Sequence, residues 1–152
     1  MASKADKAKE LFLSGYNCAQ AVFGAFCEDY GIPLETGLVI SSGFGGGIAR
    51  RREVCGAVSG AVMVLSMEHG YSDAADTQAK KDLYSRVRQV LSSFEDETGS
   101  IVCRELLGLD EKMSAPVPEE RTAAYYKKRP CAELVYLSAK AVEDYLHNIH
   151  ND

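Results

Sequence analysis

The chain has 152 residues, 46% hydrophobic and 26% charged, with 17 Lys and Arg against 22 Asp and Glu for a net charge of −5. That length predicts one domain, residues 1–152, with a hydrophobic core of its own, and the ordinary composition excludes a disordered chain. Mild acidity excludes general nucleic-acid binding, which draws on a basic surface.

The opening MASKADKAKELF carries no apolar signal-peptide core, and the most apolar stretch, 54–67, is 14 residues broken by Gly and Ser. Such a stretch is too short to span a bilayer, so a cytoplasmic protein without membrane contact is expected. Ala8, Leu11 and Phe12, then Ala21, Val22, Ala25 and Phe26, repeat at helical spacing, with a break at Gly15. Gly31-Ile32-Pro33 closes that segment. Residues 34–42 read as a short helix, because Leu38-Val39-Ile40 has no second strand to pair with.

A glycine loop, GFGGGIARRR at 43–52, comes next. Val54, Val58, Ala61, Val62 and Leu65 then stripe a central helix ending near His69-Gly70. Ser72 or Asp73 is the expected cap of a long helix to about Thr98, with Leu83, Val87, Val90, Leu91 and Phe94 inward. A short helix follows Gly99-Ser100. Residues 114–119 hold two of the four prolines and read as a loop. A last helix runs from Pro130 to about His147, buried through Leu134, Leu137, Ala141 and Tyr145. The expectation is an all-α, single-domain bundle of about five to seven helices.

Five cysteines are unusual where disulfides are rare. Asn17, with Gln20 three residues on, is a capping-box variant, which makes Cys18 the first helical residue. Cys55 opens the central helix. Ser100 as a cap puts Cys103 third in its helix, and Pro130 at the first position puts Cys131 second. Four thiols thus fall at helix N-termini, where free amides and the helix dipole stabilise thiolate, both nucleophile and metal ligand. Arg50, Arg51 and Arg52 beside Cys55 predict the lowest thiol pKa there. Cys27, nine residues after Cys18, lies on the opposite helix face and reads as an ordinary buried thiol. Packing as small hydrophobes is the plain alternative for all of them.

The glycine loop is no phosphate loop, for no Lys-Ser or Lys-Thr follows it, and the dinucleotide fingerprint fails at Ile48 and Arg50. Gly45 and Gly46, with Arg52, are the candidate cofactor-contacting residues, since glycine lets backbone or a bulky group come close. A tight turn with solvated Arg51 and Arg52 is the alternative. Gly56 and Gly60 form a small-residue stripe along which another helix can bring its own cysteine to Cys55. His69 sits at a helix end that favours an imidazolium. His147 and His150 offer little. Tyr125-Tyr126-Lys127-Lys128-Arg129 suits an anionic partner or a cationic helix end.

Cys18 in GYNCAQAV, Cys55 in CGAVSG, and the isolated Cys103 and Cys131 together resemble the C_GCAxxG_C_C family, which is described as redox-active. The resemblance runs from Gly15 to Cys131, with Cys55, Gly56, Ala57 and Gly60 matching the CGAxxG motif in full, and Cys27 has no counterpart. It implies a redox role for the four cysteines, and a redox protein or oxidoreductase as partner. Two mechanisms follow. In the first, two of Cys18, Cys55, Cys103 and Cys131 cycle between dithiol and disulfide, with Cys55 expected in the pair. In the second, all four hold zinc or an iron–sulfur cluster. Intervals of 37, 48 and 28 residues between them match neither a zinc ribbon nor a compact cluster motif, which favours the thiol mechanism.

Overall fold

The computed structural model describes residues 3–151. Eight α-helices follow in order: α1 (Lys4–Leu13), α2 (Cys18–Phe26), α3 (Leu34–Ser41), α4 (Gly56–His69), α5 (Thr77–Thr98), α6 (Cys103–Leu106), α7 (Ala123–Lys128) and α8 (Cys131–His150). The only β pairing among the described residues is an isolated antiparallel bridge, Val54 with Val102. The all-α expectation holds, with one helix beyond the expected five to seven. That extra helix is α7, six residues capped by Thr122 with none of them buried, so no apolar stripe announces it.

The fold is organised around α2. Asn17 accepts from the Gln20 amide at 2.9 Å while Gln20 Oε1 accepts from the Asn17 amide at 3.0 Å, an N-terminal stop worth about 1 kcal/mol. Seven of its nine residues are buried, as befits a helix apolar all round. It packs against α1, α3, α4 and α8. The α4 crossing depends on the small stripe foreseen in the sequence. A Cβ on Gly60 would meet Ala19 O at 2.9 Å and Val22 Cβ at 2.9 Å, and one on Gly56 would meet Cys18 Cβ at 3.2 Å. The helix that brings its cysteine to the start of α4 is α2, and the cysteine is Cys18.

Some boundaries move. Asp76, not Ser72 or Asp73, caps α5, accepting from the Ala79 amide at 2.9 Å. Helix α8 runs on to His150, and its buried face is Leu134, Val135, Ser138, Ala139, Val142 and Tyr145. Leu137 and Ala141 are only partly buried. Ser138 Oγ donates to Ala57 O at 2.7 Å and pins α8 to the first turn of α4.

The glycine loop is wound left-handed. Gly46, Gly47, Ile48, Ala49, Arg50 and Arg52 all have φ between 50° and 73°. Each non-glycine residue held there costs about 1–2 kcal/mol. Such strain persists only where the surroundings over-determine it. Here those surroundings are the cysteine-bearing helix starts.

Candidate functional site

Each motif cysteine sits where a helix begins. Cys18 is the first residue of α2, and Cys55 is the N-cap of α4. Cys103 is first in α6 rather than third, because Val102 is the cap and Ser100 Oγ instead accepts from the Val102 amide at 2.9 Å. Cys131 is first rather than second in α8, with Pro130 as the N-cap. The Val54–Val102 bridge joins two of these starts. Cys55 N donates to Ile101 O at 2.8 Å and Cys103 N to Glu53 O at 2.6 Å.

All four line one cavity of about 70 Å³, together with Gly46, Gly47 and Arg52. Cys27 is not part of it. That residue is fully buried at the end of α2, its thiol donating to Gly24 O at 3.8 Å, and a Cβ on Gly37 would come within 2.5 Å of its sulfur. A wider cavity of about 260 Å³ adjoins the first. It shares Gly46, Arg52, Tyr125 and Cys131 with it and adds Gly45. Gly45 is there for packing, since a Cβ would strike the Asn17 side chain at 2.5 Å.

The electrostatics overturn one expectation. Cys55, 4% exposed, has its thiol pushed up to about 12 by burial, although the Val58 and Ala57 amides pull the other way. The arginine run does not reach it. Arg51 is exposed and pairs with Glu53 at 2.9 Å, and Arg50 faces Glu119 at 3.5 Å. Arg52 alone turns inward, where its Nε donates to Ser114 Oγ at 3.0 Å and its Nη1 to Cys103 Sγ at 3.7 Å. Even so, burial leaves the Cys103 thiol raised.

The acidic thiol is Cys131, lowered from 9.0 to about 7. A hydrogen bond from the Cys18 thiol is the first cause, and Arg129, Arg52 and Arg121 add to it against the cost of burial. The Cys18 thiol, as donor in that bond, is raised well above 9.0. Both residues line the same cavity, with Cys131 the more acidic of the two. His69 also departs from expectation, because burial and Arg86 lower its pKa despite its place in the last turn of α4.

Two further arginines complete the site: Arg129, which the sequence offered only within a cluster suited to an anionic partner or a helix end, and Arg121, which it passed over. Arg129 had a legible signal, since Lys127-Lys128-Arg129 precedes Cys131 as the arginine run precedes Cys55. Arg121 had none. It is held by Phe12 O at 2.9 Å and Tyr16 O at 3.0 Å, over the Phe12 ring at 4.3 Å, contacts more than a hundred residues away in sequence.

These shifts fix how stability follows pH. Cys131 releases its proton at about 7 in the folded chain and near 9.0 unfolded, so stability rises with pH between those values. Cys18, Cys27, Cys55 and Cys103 are raised in the folded state. The unfolded chain therefore sheds their protons first, and stability falls above about pH 9. Urea unfolding of the reduced protein should show a maximum near that pH, and Cys131→Ser should remove the rising limb and soften the falling one, since Cys131 is the first cause of the raised Cys18 thiol. A wild-type curve flat from pH 7 to 9 would contradict the Cys131 assignment.

Among the described residues no group of three or more His, Cys, Asp or Glu is arranged to hold a metal ion. No helix among the described residues is long and apolar enough to cross a membrane.

The fold is helical, and it turns four cysteine-bearing helix starts onto one cavity. The family model described as "Putative redox-active protein (C_GCAxxG_C_C)" matches residues 16–145. The chain is a member of that family. No curated protein and no solved structure matches it.

Proposed function

We propose that the protein is a thiol redox protein in which Cys131 and Cys18 cycle between dithiol and disulfide. The observation that carries this reading is the one cavity that both sulfurs line, with Cys131 the acidic partner. The Cys131 thiolate attacks one sulfur of a substrate disulfide, forming a mixed disulfide and releasing a thiolate. Cys18 then loses its proton and attacks the Cys131 sulfur, which forms the Cys18–Cys131 bond and expels the second thiol. The substrate gains two electrons and the protein loses two. This replaces the expectation that Cys55 would be in the exchanging pair, because buried Cys55 stays protonated.

Cys55 and Cys103 line the same cavity, and burial, which raises both thiols, keeps them out of the exchange. Gly45, Gly46 and Arg52 form the cavity's wall and approach. Such a dithiol cycles in a reducing compartment such as the cytoplasm, with a redox protein or oxidoreductase restoring the thiols.

Titration in a thiol–disulfide buffer, read by peptide mapping, tests the reading. The expected product is a Cys18–Cys131 disulfide with a midpoint roughly between −120 and −270 mV, absent in Cys18→Ser and Cys131→Ser. A disulfide between any other pair overturns the assignment. Zinc or iron near stoichiometry in protein purified without oxygen would instead favour four-cysteine ligation.

A further inference from the structure

The cavity of about 260 Å³ that opens on Cys131 has a composition at odds with the rest of the chain. Four guanidinium groups, those of Arg50, Arg52, Arg121 and Arg129, line it in a protein whose net charge is −5. Glu119 is the one carboxylate in that wall, and it is shared between Arg129 at 2.6 Å and Arg50 at 3.5 Å. Arg121 bonds only backbone carbonyls, and Arg52 only a hydroxyl and a sulfur. The Nε of Arg50 is buried with no hydrogen-bond partner. Guanidinium groups outnumber carboxylates by three, and anions by two once Cys131 is a thiolate, in a concave, partly desolvated space, where their field on an entering charge is stronger than at an open surface.

We infer that this cavity binds the anionic end of a small-molecule substrate and presents its sulfur to Cys131. The substrate class is a low-molecular-mass disulfide or thiol bearing carboxylates. Arginine suits that task because its planar fork pairs with carboxylate oxygens two at a time. Leu107, Pro116 and Pro118 on the same wall offer an apolar surface to the substrate's carbon chain. The volume lies just below the range of about 300–1,000 Å³ usual for ligand pockets, which favours a small molecule over a protein chain.

The inference rests on Cys131 as the nucleophile, and the test separates the two. Alkylation of Cys131 by iodoacetate and by iodoacetamide is followed by mass spectrometry on the full reduced chain, with the urea-unfolded chain as reference. The acetate-to-acetamide rate ratio at Cys131 should stand at least about tenfold above the unfolded value. It should fall several-fold in Arg50→Gln and in about 0.5 M salt, and rise in Glu119→Gln. Should Arg50→Gln fail to fold, salt and Glu119→Gln still test the charge, with opposite signs. A folded ratio equal to the unfolded one overturns the inference.

The disulfides of mercaptopropionate, mercaptoethanol and cysteamine then give an anionic, a neutral and a cationic substrate of similar size. Oxidation of Cys18 and Cys131 should be fastest with the anion and slowest with the cation. Equal rates with all three overturn the substrate class while leaving the dithiol reading in place. Retained iodoacetate preference with no Cys18–Cys131 disulfide from any of them supports the anion site and ends the dithiol reading.

Discussion

In the reduced protein at pH 7, Cys131 should take up iodoacetamide at least about a hundredfold faster than Cys55, measured by mass spectrometry of the mapped peptides. With its pKa at about 7, half of Cys131 is thiolate at that pH, whereas a thiol pushed up to about 12 is ionised roughly once in 10⁵. The more basic thiolate is the better nucleophile, and a Brønsted slope of about 0.4–0.5 over five units returns two orders of magnitude or slightly more. The remainder is still about a hundredfold. Cys18→Ala should slow Cys131 at pH 7 more than Arg52→Gln does, because the Cys18 hydrogen bond is the larger cause of its acidity. A faster Cys55 would restore the helix-and-arginine expectation and remove the basis of the proposed chemistry.

Gly47→Ala should destabilise the fold by about 3 kcal/mol or more in urea unfolding. Two causes add there. The residue sits at φ 73°, where a side chain costs about 1–2 kcal/mol. A Cβ would also meet Glu53 N at 2.6 Å, Arg52 Cα at 2.8 Å and Cys103 Cβ at 2.8 Å, neighbours that give way only if the loop moves. Gly99→Ala isolates the first cause, since φ is 90° but nothing lies within 4 Å of the added carbon. It should cost about 1 kcal/mol. Equal losses at the two positions would show that the loop yields freely and does not hold Cys103 in place.

How much of this was legible depends on the reach of each interaction. The helices were readable because their signals are local: three-and-four spacing of apolar residues, the Asn17–Gln20 box, and glycines at breaks. The same locality placed four cysteines at helix starts and turned Cys27 to the opposite face. Gly56 and Gly60 announced a close crossing by their size alone. Where several capping residues stand together, as at Ser72, Asp73 and Asp76, local preference does not choose among them, and packing selected Asp76.

Tertiary structure decided which cysteine is acidic and which cavity the four share. Cys18 and Cys131 are 113 positions apart in the chain, and they line one cavity because α8 packs beside α2. Proximity in sequence pointed the arginine run at Cys55, yet the left-handed turn at Arg52 sends its side chain to Cys103 and toward Cys131. Arg121 joins from a loop with no signature. Electrostatic energy depends on distance in space and on solvent exclusion, and for Cys55 the cost of burial exceeded what its neighbouring amides return.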